Sequence, residues 1–289
     1  MSAVAERQPA RDDFTSEYHV YEPHRAGLPP LGPYLRELWR RRHFMFGLAR
    51  ADLRLQHYNT AFGQLWLLIN PLLLALVYFL LVTILRGGSR GPDFLAHLML
   101  GLFTFRFVSR SIREGVGAVV GGGRLILNTA FPRILLPLSS VITGAMRFLP
   151  TLLLYAVAHI VLGLPIGPQL LWAIPILLLI AVFTTGATML VATVQVYFRD
   201  LKYFLRYFLR IWLYTSPVIY YVQDVPEKYK LILNANPLYP LLGSLSDTVN
   251  QGHNPSASLM LYGFAWAIGS LVIGFLFFVT REREFAVRL

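Results

Sequence analysis

The sequence has 289 residues, of which 55% are hydrophobic and only 14% charged, with 26 Lys and Arg against 15 Asp and Glu and no Cys. A water-soluble domain carries about 25% charged residues to solvate its surface, so most of this chain faces something other than water, and disulfides and thiolate metal or redox sites are excluded. The basic residues, nearly all Arg, lie outside long apolar runs, as beside anionic lipid, rather than interleaving with a polar surface as in a nucleic-acid binder.

In chain order, residues 1–32 are polar, contain Arg7 and Arg11, and lack the apolar core of a cleavable signal peptide. A disordered cytoplasmic N-terminus is expected there. Residues 33–60 read as an amphipathic helix lying in the membrane interface, with Leu35, Leu38, Met45, Ala49 and Leu53 on one side and Arg36, Arg40, His43, Arg50 and Arg54 on the other. The alternative is the first helix of a small soluble domain, for which little polar chain is present.

A helical span needs about 20 apolar residues. Ala61–Leu85 is free of charge and reads as the first span; Phe94–Ile112 is a poorer second, interrupted by Arg106 and Arg110. Residues 148–198 carry no charge and exceed one helix, so the Pro165–Pro168 region divides a third span (Ile134–Gly163) from a fourth (Leu170–Tyr197). A fifth is placed at Phe204–Val222 and a sixth at Ser256–Thr280, within a permease domain of 61–280 followed by a cytoplasmic tail at 281–289. With both termini cytoplasmic, twenty-one basic residues fall on the inner side and four on the outer, which fixes the orientation. Between spans five and six, Leu231–Ser246 is apolar, broken by Pro237 and Pro240 and too short to cross. It reads as two short helices dipping in from outside, or as an ordinary surface loop. The expected fold is thus an all-α membrane protein with six transmembrane helices, an interfacial helix and short re-entrant helices.

No carboxylate lies at a span centre, Glu114 being nearest. Proton- or ion-coupled transport and intramembrane catalysis need such groups. His97 and His159 are isolated: either could serve a metal or proton, or be an interfacial aromatic. The glycine cluster Gly121–Gly123 precedes Arg124 without the Lys-Ser or Lys-Thr of a phosphate loop. Any power therefore comes from another polypeptide.

Four motifs, in order, resemble the ABC-2 type permeases of the polysaccharide and O-antigen export class. They are the run ending Arg54, Tyr58, Gly63, Trp66, Asn70 and Pro71; Phe131-Pro132-Arg133 with Leu136-Pro137; "YFRDLKY" at 197–203; and the Ser-Pro, Val-Pro and Asn-Pro segment at 214–242. Within that class the chain is most similar to actinobacterial exporters of lipid-linked galactan. The Gly-Gly-Gly before Arg124 departs from the pattern. An ABC-2 drug or small-lipid exporter is the alternative.

The resemblance implies a homodimer in the bacterial plasma membrane, two copies of a cytoplasmic ATPase that holds ATP and Mg, no cofactor in this chain, no nucleic acid, and a lipid-linked polysaccharide as cargo. It implies that Pro132 and Pro137 bound a short helix docking on the ATPase, with Phe131, Arg133, Arg199 and Asp200 as further coupling residues. Ser216, Pro217, Tyr220, Tyr221, Pro226, Asn236 and Pro237 would form the outer gate. Sugar rings stack on aromatics, so Trp66, Trp212 and Tyr214 are expected along the substrate path; Tyr220 and Tyr221 fit the path or an aromatic belt equally. Arg147, deep in the third span, would meet a lipid pyrophosphate or polar lumen, or bond to backbone carbonyls of a neighbouring span. Arg40, Arg41, Arg42 and Arg54 would gather a pyrophosphate head group or anchor to anionic membrane lipid.

Overall fold

The computed structural model describes residues 30–56, 62–86, 91–129 and 131–288. The expected disordered N-terminus, up to residue 29, and Tyr58 of the first motif lie outside them. Among the described residues there are helices and turns and no β-strand. Among the described residues four helices are long and apolar enough to cross a membrane: α3 (Trp66–Arg86), α6 (Leu135–Val161), α7 (Ala173–Tyr197) and α11 (Ala257–Arg281).

The interfacial segment is two helices, α1 (Leu31–Arg40) and α2 (Arg42–Gln56), rather than one. Arg41 leaves helical geometry between them, and its side chain donates to the Glu37 carboxylate. Ala49 of α2 is fully buried on the side that packs against α6, while Trp39, Phe46 and Leu55 stay exposed.

The helix between the first two apolar segments is α4 (Pro92–Gly121), 30 residues and about 45 Å long at 1.5 Å per residue. The sequence marks it as the poorest span, yet it is the core of the molecule. It is buried along much of its length against α6 and α7, so His97, Thr104, Ser109 and Ser111 face protein rather than lipid, while Arg106 and Arg110 are half-buried and Arg113 is exposed. Small residues permit the approach: a Cβ on Gly144 of α6 would meet Ser111, and one on Gly115 would meet Thr188 of α7.

A six-residue helix, α5 (Gly123–Asn128), follows the glycine corner. Residues 131–134 then form a turn, and α6 begins at Leu135. Pro132 and Pro137 therefore do not bound a short helix; Pro137 sits in the first turn of α6, where its missing N–H is no loss. The short helix of this loop lies earlier, at α5. The expected fifth span ends early as well: α8 (Leu201–Thr215) has 15 residues, about 22 Å, and stops before Ser216-Pro217 because the residue preceding a proline is driven to extended geometry. Residues 216–221 continue as non-helical chain, with Val218 buried and within 3.2 Å of where a Cβ on Gly101 of α4 would stand.

Beyond it come α9 (Glu227–Asn234) and α10 (Leu238–Val249), the latter almost entirely buried. The C-terminal end is not a loose tail, since α11 runs into a 3-10 turn (Glu282–Glu284) and α12 (Phe285–Arg288). Phe285 is buried there against Phe278. A close helix crossing joins α7 and α11, where a Cβ on Gly274 would strike the carbonyl of Gly186 and Ser270 donates to the Phe183 carbonyl at 3.0 Å. Gly274→Ala should cost about 1–3 kcal/mol from overpacking and lower the thermal midpoint of the purified chain. Gly269→Ala, which opens onto free space one turn away, should stay within about 0.5 kcal/mol.

Candidate functional site

The membrane-embedded charges converge on α4. Arg106, Arg110 and Arg113 recur at helical spacing along one side, and Glu114 follows. Arg147 is only 5% exposed; it donates to both Glu114 carboxylate oxygens at 2.6 Å, while Arg110 Nε reaches the same carboxylate at 2.9 Å. Neither sequence-based reading of Arg147 anticipated this: its bound partner is an acid of α4, which extends well past Ile112 and carries Glu114 inside the helix bundle. Arg147 Nε and Nη2 stay buried without a hydrogen-bond partner. Trp66, Asn70 and Pro71 of the first motif line one small recess of about 50 Å³ together with Arg106, Arg110 and Arg147.

The expected path residues are not gathered in one place. Trp66 and Arg147 share that recess, whereas Trp212 is wedged among Phe105, Phe183 and Phe208 and donates to Asn236 Oδ1 at 2.7 Å. Tyr214 is exposed, its hydroxyl 3.4 Å from that of Tyr78 on α3.

The outer-gate residues, by contrast, form one network. Asn236 accepts from Trp212 and from the Leu238 N–H, and donates to the Thr215 carbonyl and Ser216 Oγ. Tyr220 donates to the Thr215 carbonyl at 2.8 Å, and Tyr221 lies 4.4 Å from the His97 ring. Pro226 and Pro237 stand at the starts of α9 and α10. His97 is no interfacial aromatic: it is 1% exposed, with Nδ1 2.6 Å from Ser246 Oγ and Nε2 3.1 Å from the Tyr220 carbonyl. Asn250 and Tyr155 extend this network to His159, which lies 3.5 Å from the Tyr155 hydroxyl and 3.2 Å from the Pro165 carbonyl. Among the described residues no cluster of three His or acidic groups could hold a metal.

At the opposite end, both expected coupling loops are tied to the C-terminal turn. Arg133 donates through its backbone N–H to the Glu282 carboxylate and through its guanidinium to the Glu282 carbonyl. Tyr34 of α1 donates to the same carboxylate at 2.6 Å, and Phe131 packs on Phe44 of α2 at 5.3 Å. Burial raises the Glu282 carboxyl above its ordinary range against the opposing pull of these donors, and burial and then the Glu282 charge hold the Tyr34 phenol well above normal. In the second loop Arg199 reaches the Arg288 carbonyl at 3.4 Å and Tyr197 donates to Glu284 at 2.6 Å, with Asp200 exposed at the start of α8. On the interfacial helices Arg40 and Arg41 pair with Glu37, Arg42 stacks over Trp39, and Arg54 is exposed.

Sequence reasoning missed Tyr34, Glu282, Glu284, Tyr155 and Asn250, whose partners are about 90 residues or more away in the chain or lie on another helix. The Arg110–Glu114 spacing was a readable signal for the intramembrane pair.

No family model matches the chain. It is 28% identical over 230 residues, 78% of its length and 88% of the relative's, to an O-antigen export system permease protein RfbA of Klebsiella pneumoniae. A second such protein of that organism is 28% identical over 206 residues, 71% of this chain and 79% of the relative. An O-antigen export system permease protein RfbA of Myxococcus xanthus is 29% identical over 258 residues, 87% of this chain and 97% of the relative. The resemblance carried by the four motifs thus extends along most of the chain, and the apolar helices are those of a multi-pass membrane protein.

The Arg147–Glu114 pair gives a direct test. Removing one partner of a buried ion pair leaves a charge uncompensated, at about 3–5 kcal/mol, whereas replacing both is far milder. Glu114→Gln should therefore sharply reduce thermal stability in detergent, and Glu114→Gln combined with Arg147→Met should recover most of the loss.

Proposed function

We propose that this chain is the membrane-spanning subunit of an ATP-driven exporter that carries a lipid-linked polysaccharide from the cytoplasm across the plasma membrane. The observation carrying this reading is similarity to O-antigen export permeases along 87% of this chain and 97% of one relative. The reading needs a separate ATPase, since the sequence has no phosphate loop. It favours a homodimer served by two ATPase copies, because a single six-helix chain cannot easily enclose a pore for sugars. Within the export class, galactan is the proposed glycan.

In this reading α4 and α8 complete six crossings, with α8 extended by residues 216–221, and both termini face the cytoplasm. α9 and α10 dip in from the outer side, where Asn236 ties α10 to the end of α8 and His97 of α4 meets the Tyr220 carbonyl, bonds that an opening gate would exchange. The turn at 131–134, α5 and the loop at 198–200 receive the ATPase stroke. Their shared attachment to 282–288 passes the stroke to α11 and, through Tyr34, to the interfacial helix. Arg40, Arg41, Arg42 and Arg54 draw anionic lipid to that helix, and Trp66 and Tyr214 stand where a glycan could stack.

Depletion of the protein should accumulate a lipid-linked glycan on the cytoplasmic face, read by lipid extraction and sugar analysis, and the purified chain should bring down an ATP-binding subunit. Accumulation of no glycan, or co-purification with no ATPase, would overturn the reading. The Cys-free sequence allows a topology check. An impermeant thiol reagent should label Asn254→Cys in intact cells and Arg124→Cys only after permeabilisation.

A further inference from the structure

At the end of the bundle that carries α9 and α10, four stretches of chain far apart in sequence meet around a recess of about 410 Å³. Asp93 comes from the first turn of α4 and Pro165 from the link between α6 and α7. Tyr221 and Gln223 come from the chain after α8, and Asn250 and Gln251 from the end of α10. Gly252 allows the closure: its φ of +69° turns the chain as it leaves α10, and a Cβ there would stand 2.9 Å from the Pro165 ring.

The lining chemistry narrows what can sit in this recess. Asp93 is the one charged side chain among the lining residues, so an anion would meet a like charge and no Lys or Arg. A hard divalent cation takes six or more oxygens, and among the described residues no His or acidic cluster could hold a metal. A lipid chain would find few carbon-rich walls beyond Pro165 and the Tyr221 ring.

What the recess does offer is neutral hydrogen bonding beside an aromatic side chain. Gln223 Nε2 donates to Gln251 Oε1 at 2.6 Å. Such a pair spends one donor and one acceptor on itself and, whichever way the amides are turned, keeps at least one of each. Asp93 adds two acceptor oxygens. Adjacent hydroxyls, each both donor and acceptor, match this set. Asn250 is committed to the protein, accepting from Tyr155 and donating to Ser246, and forms part of the floor. Tyr221 is held by Phe94 and by the His97 ring at 4.4 Å, which makes it a fixed wall for the apolar face of a sugar.

We propose that this recess is a saccharide-binding site on the outer face, which takes one neutral sugar ring through Asp93, Gln223 and Gln251, with Tyr221 as its stacking wall. The proposal rests on the polysaccharide-export reading, which supplies both the sugar and the orientation, and it adds a holding point for chain that has already crossed. Tyr221 also faces His97, and Asn250 also bonds to Ser246, so an occupied site touches the gate network directly.

The test uses the full-length chain in nanodiscs without an ATPase, titrated with oligosaccharides of galactose, mannose, rhamnose and N-acetylglucosamine and read by saturation-transfer NMR. At least one of the four should bind saturably. For that sugar, Asp93→Ala, and separately Gln223→Ala combined with Gln251→Ala, should raise Kd about tenfold, a neutral hydrogen bond being worth a few-fold. Asn254→Ala, exposed on the same face outside the recess, should bind as wild type. All these side chains lie at or near the surface, so the variants should keep the wild-type thermal midpoint. Saturable binding of none of the four sugars, an unchanged Kd in both recess variants, or an equal loss in Asn254→Ala would overturn the site. Glycan accumulation on depletion is read in cells, so the site can fail while the export function stands. If depletion accumulates no glycan while binding holds, the export reading fails and the sugar site stands.

Discussion

The structure turns on the need to keep α4 out of lipid. That helix carries His97, Thr104, Ser109, Ser111 and the Arg106–Glu114 run within one membrane-length segment. Exposed to hydrocarbon, each Arg at mid-depth would cost about 2.5–3.5 kcal/mol on insertion scales. Wrapping α4 in α6, α7 and α10 gives its neutral polar groups and Arg110 protein partners instead, and the glycines at 115 and 144 bring the helices close enough to do so. The Arg147–Glu114 pair is the most demanding part, because both groups are committed to each other and Arg147 retains two buried donors without partners. Such a pair favours one helix register over its neighbours more than it adds stability.

The two ends of the bundle are organised by contrasting chemistry. At the end bearing α9 and α10, neutral groups form a hydrogen-bonded chain from His159 and Tyr155 through Asn250 and Ser246 to His97 and the Tyr220 carbonyl, with Asn236 closing a second chain beside it. Neutral bonds of this type cost little to exchange, which in the proposed exporter suits an outer gate. At the other end the links are charged: Glu282 joins Arg133 and Tyr34, and Glu284 joins Tyr197 and Arg281. They surround a compact apolar cluster of Val119, Ile134, Met189, Phe278 and Phe285. In the proposed exporter, that cluster makes the two loops and the C-terminal turn move as one body.

This arrangement gives the terminal residues a use that their position conceals. Residues 282–288 bridge loops separated by more than sixty residues of sequence. A displacement of either loop is therefore felt by α11, and α11 is locked to α7 at Gly186 and Gly274.

The sequence by itself determined the solvent, the helical class, the four long apolar helices to within about five residues, and the likeness to export permeases, because apolar runs and ordered local motifs are one-dimensional properties. It also pointed to two short helices between the last two apolar stretches, which the structure has as α9 and α10. Tertiary structure alone decided which span became the core, where Arg147 found its partner, that the path residues part company, and that the tail is a clamp. The physical reason is common to all four. Hydropathy scores a segment against lipid or water, whereas the fate of a polar side chain in a membrane depends on which other helices surround it. Burial of α4, the Glu282 bonds and the recess beside Tyr221 exist only once helices distant in sequence have packed together.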